Sequence, residues 1–327
     1  WKGLFAWSAQ YSDGTKPTEF SPMTKEERKW LEEAMQQYTF DEAKRMPEIV
    51  QILCECNEKD KQELLDCLEE LQDIIDTHER NSHNLELMGG FKVLMKVMFG
   101  SQYEEVRRLA MAVFSLIVQN NLELQEKAQA YGGLELMHQY VKEENSKNKE
   151  QTMGALSSLV RNSSLVVQKQ FLDNMNALEW LKQVILSKDT TFRTLTKVYF
   201  LLFDLISKET DQNLAKAQED ENFVKNFILQ NDDMIAQMIK TLNYDEEEDL
   251  FPHHTLREYI LNILGSIFQY KEDAMTEDIM ESIKSKVSQI DQLTSASKDE
   301  DLVEILTKEN TIINDILQKS GNFLLTH

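Results

Sequence analysis

The chain repeats itself, and that repetition limits what it can fold into more than any other feature. Gly89-Gly90-Phe91 returns 43 residues later as Gly132-Gly133-Leu134, and similar text stands upstream of each pair, Ile74-Ile75-Asp76 in the first copy and Ile117-Val118-Gln119 in the second. A third copy places Leu159-Val160-Arg161-Asn162 where the second has Ile117-Val118-Gln119-Asn120, and reaches Asn176-Ala177-Leu178 at the anchor after two extra residues. A helical unit recurring every ~40 to 47 residues marks stacked arrays of the armadillo or HEAT kind. Stacking also accounts for the length: 327 residues exceed what one core ordinarily serves, whereas repeats pack only against their neighbours.

Each copy reads as one long helix followed by two short ones. Leu64, Leu65, Leu68, Leu71, Ile74 and Ile75 mark the inner face of a helix over 60–77, and the pattern returns over 104–119, 150–161, 190–207 and 255–270. Short helices are expected over 81–88 and 91–98, 122–131 and 134–141, 165–172 and 178–186, and 223–229 and 234–242. The glycine pairs read as tight helix connections, not phosphate loops. Thr24 and Glu27 have the spacing of a capping box opening a helix over 25–37, and a second helix from Asp41 is expected to bend or restart at Pro47. Lys142 to Lys149 reads as a charged bend, Lys208 to Glu221 as a polar connection, and Asp245 to Asp249 as a solvated acidic connector, with capture of a basic partner as the rival reading. The expected fold is all-α, an armadillo-like right-handed superhelical solenoid with N- and C-terminal capping helices. Its parts are an aromatic segment over 1–20, capping helices over 21–59, repeats over 60–242, and, over 243–327, an acidic connector with weaker, more irregular capping helices at 279–287 and 302–324.

The formal charge of −22, from 57 Asp and Glu against 35 Lys and Arg, argues against nucleic acid as the main ligand. No apolar run is long enough to cross a membrane. Cys54, Cys56 and Cys67 read as buried reduced thiols, since no Cys-His set completes a zinc site. Asn162-Ser163-Ser164 is a glycosylation sequon that matters only in a secreted protein. The chain starts at Trp1 and not Met, so residues upstream are expected.

Catalysis is not expected. His78 and His83 are five apart, off the i,i+4 spacing of a helical metal pair, and His253-His254 reads as part of a hydrated connector; His138 and His327 have no partner pattern. Neither Ser8 nor Ser12 sits in a nucleophile elbow, and no phosphate loop or dinucleotide motif is present, so no cofactor or metal is expected. A binding role is better supported. Side-by-side long helices would bring Gln119-Asn120-Asn121, Arg161-Asn162, and Arg193 with Lys197 to one surface, where arginine pairs with carboxylates and the amides give directional contacts. The competing reading of each amide is a local turn or helix cap. The repeated asparagine with which importins and catenins hold an extended peptide is missing: Leu116, Ser158 and Asp204 fall at its positions.

Several stretches resemble the armadillo-type Hsp70 nucleotide exchange factors, the cytosolic Hsp70-binding proteins and their fungal Fes relatives. They are Leu4-Phe5-Ala6-Trp7-Ser8, Ser12-Asp13-Gly14, the run from Met23 to Met35, Glu104-Glu105-Val106-Arg107, Val118-Gln119-Asn120-Asn121, and Ala155 through Asn162, together spanning about residues 1–205. The resemblance implies a cytoplasmic or nuclear protein, a monomer alone, that embraces lobe II of the Hsp70 ATPase domain, promotes ADP release and thereby releases client. It implies that Arg193 makes an ionic contact, with Gln119, Asn120, Asn121, Arg161, Asn162 and Lys197 supporting it, and that Trp1, Leu4, Phe5 and Trp7 belong to a release segment that enters the Hsp70 substrate site. Asp76-Thr77-His78-Glu79-Arg80-Asn81 departs from the Asp-Asn-Ala-Asn-like segment common in that family. The alternative is an armadillo scaffold or adaptor without exchange activity.

Overall fold

The structure, a computed structural model, describes residues 24–30, 42–57, 59–143, 146–209, 223–243, 254–271, 274–296 and 299–324. Trp1, Leu4, Phe5 and Trp7, the connection over 210–222 and the acidic run Asp245 to Asp249 lie outside them. Two compact units divide the chain between Arg45 and Met46. In the first, residues 25–30 are helical and open on the expected capping box: the Thr24 N–H donates to Glu27 Oε2 at 2.8 Å and the Glu27 N–H to Thr24 Oγ1 at 3.2 Å. The Thr24 N–H and the Thr24 hydroxyl, which also donates to Glu27 Oε2 at 3.0 Å, hold the Glu27 carboxyl below its ordinary pKa.

The second unit is a stack of helices. After α1 (Glu42–Cys54) come α2 (Lys61–Thr77), α3 (Glu79–Leu87), α4 (Gly90–Gly100), α5 (Glu104–Val118), α6 (Leu122–Ala130), α7 (Gly133–Glu143) and α8 (Ser146–Val160). Then follow α9 (Leu165–Lys169) with a π-helix over Gln170–Asn174, α10 (Ala177–Leu186), α11 (Phe192–Glu209), α12 (Phe223–Leu229), α13 (Asp232–Leu242) and α14 (His254–Tyr270). The chain closes on α15 (Glu277–Ala296) and α16 (Glu300–Leu324). The order short, short, long therefore recurs from α3 through α14, and the fold is an all-α repeat solenoid of the armadillo or HEAT type.

Neighbouring long helices α2, α5, α8, α11, α14 and α16 pack side by side. Their polar contacts fix a parallel register. Thr152 Oγ1 reaches Met111 Sδ at 3.4 Å midway along α5 and α8, and Asn162 Nδ2 donates to Asn120 Oδ1 at 3.1 Å just past their C-terminal ends. The apolar faces behave as their spacing requires: Leu64, Leu68, Leu71, Ile74 and Ile75 of α2 are buried, and Val106, Ala110, Val113, Phe114 and Ile117 repeat the pattern in α5. Leu65, Leu109 and Leu116 are only partly buried, because they flank the stripe and do not centre it.

Each glycine of the recurring pair has its own reason. Gly89 and Gly132 take φ of +73° and +80°, the left-handed region where a side chain is strained. Gly90 and Gly133 are helical, but a Cβ on Gly133 would stand 2.8 Å from the Ala128 carbonyl oxygen, and one on Gly90 2.5 Å from Leu85 Cδ1. In the third copy Asn176, at φ +49°, makes the same left-handed turn, and the π-helix before it takes up part of the added length.

Four expectations are corrected. Helix α1 runs through Pro47 without restarting, losing one internal hydrogen bond while Met46, Ile49 and Leu53 hold it to the core. Helix α8 begins at Ser146, inside the stretch read as a bend; without Gly or Pro there is nothing to break it, and buried Asn148 and Thr152 anchor its first turns. Cys54 is exposed while Cys56 and Cys67 are buried, because Cys54 falls one place off the stripe that ends at Leu53. Of the C-terminal caps, α16 follows the expected 302–324 closely with 25 residues, whereas α15 has 20 residues and runs well beyond the expected 279–287.

Helix α16 is bolted to α14 by a buried ion pair. Arg257 Nε donates to Glu309 Oε1 at 3.0 Å and Oε2 at 3.1 Å, and Nη2 lies 3.0 Å from Oε1, with both side chains almost wholly buried. Glu309→Leu leaves a lone buried charge and is expected to destabilise the array by about 3–5 kcal/mol, whereas adding Arg257→Met should recover most of that loss in thermal unfolding. A second comparison separates the glycines. Gly133→Ala should destabilise by roughly 1–3 kcal/mol through overpacking against backbone, while Gly100→Ala, which meets nothing within 4 Å, should be neutral or slightly stabilising in the same assay.

Candidate protein-binding surface

The long helices present a second stripe, opposite in character to their buried one. On α11 the residues Arg193, Lys197, Phe200 and Asp204 recur at spacings of four, three and four, which places them on one face. Arg193 and Lys197 are exposed, and Phe200 and Asp204 are half-buried. Their register against α8 is fixed: the Asn162 N–H points at Asp204 Oδ2 (3.4 Å), and a Cβ on Gly154 would meet Lys197 Cε at 4.0 Å.

At the centre is a stack across three consecutive long-helix positions. The Arg161 guanidinium, just past α8, lies 3.6 Å from the Phe200 ring centroid. Phe200 in turn stacks on Tyr259 of α14, centroids 4.7 Å apart and planes 12° from parallel. A cation over an aromatic face is worth ~0.5–2 kcal/mol, more when water is excluded. Here it is partly excluded: the Arg161 Nε is buried with no hydrogen-bond partner. Burial lowers the guanidinium pKa, with Asp204 and Tyr259 acting against it, and an arginine remains charged regardless. Tyr259 is pushed up by burial, with Arg161 opposing. Among the described residues no carboxylate is within ion-pair distance of Arg161, and Asp204 offsets its charge only from farther away.

The structure sorts the residues named from sequence. Arg161, Asn162 and Asn120 come together beside Asp204, while Gln119 is exposed next to Asn120. Asn121 caps α6, accepting from the Leu124 N–H at 3.2 Å. Asn120 and Asn162 hold φ of +58° and +52°, so the backbone turn accounts for asparagine at both places. Arg193 stands in the first turn of α11, roughly 16 Å along the axis from Asp204, and so apart from the Arg161 cluster though on the same face. Phe200 and Tyr259 were not singled out for this surface by sequence reasoning. Phe200 was legible as the apolar residue falling off the buried series Leu195, Val198, Leu202 and Ile206; its pairing with Arg161 and Tyr259 was not.

Farther along the row the charge changes sign. Asp66, Glu69, Asp73 and Asp76 of α2 are exposed at spacings of three, four and three, on one face. Among the described residues no group of three or more His, Cys, Asp or Glu is arranged to hold a metal ion, and no helix is long and apolar enough to cross a membrane.

No protein-family model matches the chain, and no curated protein matches it. Solved structures do. A computationally designed armadillo repeat protein for modular peptide recognition matches with a TM-score of 0.57 at 16% identity, covering 84% of this chain and 99% of that one. A designed armadillo repeat protein in complex with the peptide (KR)4 matches with a TM-score of 0.54 at 15% identity, covering 82% and 99%. At such identities the likeness is one of fold, and it agrees with the helix order described above: this chain is built as an armadillo/HEAT-like repeat solenoid.

Proposed function

We propose that the row of long helices binds a partner protein, so that the chain works as an armadillo-type interaction scaffold. The observation that carries this reading is the Arg161–Phe200–Tyr259 stack, whose guanidinium makes no ion pair among the described residues. Arginine and aromatic side chains dominate binding hot spots when they are rigid before the partner arrives, because little side-chain entropy is then left to lose. Repeat solenoids use such extended surfaces for partners and not for chemistry. The peptide (KR)4 named with one structural neighbour is basic, and cationic Arg161, Arg193 and Lys197 make this part of the row unsuited to it. A carboxylate-bearing protein surface fits here, with basic groups opposite α2.

Within that role, the more specific reading is an Hsp70 nucleotide exchange factor in the cytoplasm or nucleus. Support comes from the sequence likeness in Glu104 through Arg107, Val118 through Asn121 and Ala155 through Asn162, and from Arg193 within Phe192-Arg193-Thr194-Leu195. The partner would be the Hsp70 ATPase domain. Exchange then needs no chemistry from this chain, only tighter binding to the nucleotide-poor form than to the ADP-closed form, and reciprocity lowers ADP affinity by the same factor. A difference of ~1–3 kcal/mol gives about 5- to 150-fold.

Two measurements separate the readings. Release of a fluorescent ADP analogue from Hsp70 should accelerate at saturating protein; an unchanged rate rejects exchange and leaves the scaffold. Arg161→Glu and Arg193→Glu should each weaken Hsp70 binding about tenfold at unchanged helical content, a cost of ~1.4 kcal/mol. For the scaffold itself, a quantitative profile of bound proteins should lose its main partner on Arg161→Glu with Phe200→Ala, and a profile identical to that of the parent rejects the surface.

A further inference from the structure

A second surface lies on the short helices, where no lining residue belongs to the long-helix row. Lys92, Met95, Lys96, Phe99 and Gly100 of α4, together with Ala130, Tyr131 and Leu136, line an open groove of about 650 Å³. That is within the size range of sites that hold a small ligand or a few residues of a peptide.

Its floor is apolar and already ordered. Met95 is buried, Phe99 packs edge-on against Tyr140 at 5.5 Å, and Leu136 is left 39% exposed. Lys92 and Lys96, one helical turn apart, stand exposed on α4, and the Lys92 ammonium lies 4.4 Å from the Tyr131 ring centroid. Neither lysine has a carboxylate partner among the described residues, in a chain with 57 acidic side chains. The carboxylate nearest in role, Glu86, is already engaged: it accepts from the Tyr131 hydroxyl at 2.8 Å and pairs with Lys127 at 3.4 Å. Glu135 accepts from Gln170 Nε2 at 2.7 Å.

We propose that this groove docks an acidic peptide segment of a partner protein, with a leucine or aromatic side chain entering between Met95, Phe99 and Leu136 and flanking carboxylates meeting Lys92 and Lys96. Charge complementarity identifies the occupant. The two lysines are the cations bordering an apolar groove on a strongly acidic protein, and at physiological salt a screening length of ~8 Å lets their local field outweigh the distant negative charge. The apolar floor supplies affinity and the lysines select against basic or neutral segments.

The test uses the full chain and a fluorescein-labelled peptide, Glu-Asp-Glu-Leu-Phe-Asp-Glu-Asp, followed by anisotropy. Saturable binding is expected, weakened at least tenfold by Lys92→Glu with Lys96→Glu and at least tenfold when Leu-Phe in the peptide becomes Ser-Ser. Arg161→Glu should leave it unchanged, since the groove is independent of the long-helix surface. The lysines are exposed, so circular dichroism should show the double variant folded as the parent. Absence of saturable binding, equal binding by the double variant, equal binding of the Ser-Ser peptide, or a tenfold loss on Arg161→Glu would each overturn the assignment.

Discussion

Every unit of this protein has an apolar face that only its neighbour can cover. A lone long helix such as α5 would leave Val106, Ala110, Val113 and Ile117 in water; in the stack they are fully covered. At ~25 cal/mol per Å² of apolar area, burial of this kind dominates the favourable side of folding. Because the contact is side by side and repeated, the helix axes must stay in register, and the register decides which polar residues reach each other. The meeting of Arg161 with Phe200, or of Asn162 with Asp204, follows from where apolar side chains interlock one layer below.

This dependence explains how much could be read from the amino acids alone. The long helices were legible because Leu64, Leu68, Leu71 and Ile75 keep a helical period that no strand would. The Gly-Gly connections were legible from their recurrence, although the two separate demands, a left-handed φ at Gly132 and an absent side chain at Gly133, emerge only in the folded chain. Helix α16 was legible over 302–324, whereas α15 was underestimated because Ser, Lys and Asp interrupt its stripe past 287. The Arg257–Glu309 pair joins residues 52 apart, and no local pattern announces it.

The candidate surface was half legible for the same reason. Arg161, Asn162 and Asn120 could be aligned because they occupy equivalent places in successive copies. Arg193 belongs to the same face, but its place in the same helix sets it about three helical turns from Asp204. Phe200 and Tyr259 were hidden because their importance is diagonal: each lies between helices, where a period within one helix carries no information. The asparagines show the opposite case, in which conspicuous polar residues are substantially explained by backbone geometry.

The ion pair between α14 and α16 bears on which helix can cover α14. An open stack exposes the face that recruits each next layer, and a face made only of aliphatic side chains would accept any helix of suitable shape, including one from another molecule. Placing Arg257 within that face changes the terms of entry: a newcomer must bring a carboxylate to one spot or strand a charge away from water. Glu309 meets that demand from within the same polypeptide, so the face of α14 is claimed by this chain's own helix and a foreign layer is discouraged there.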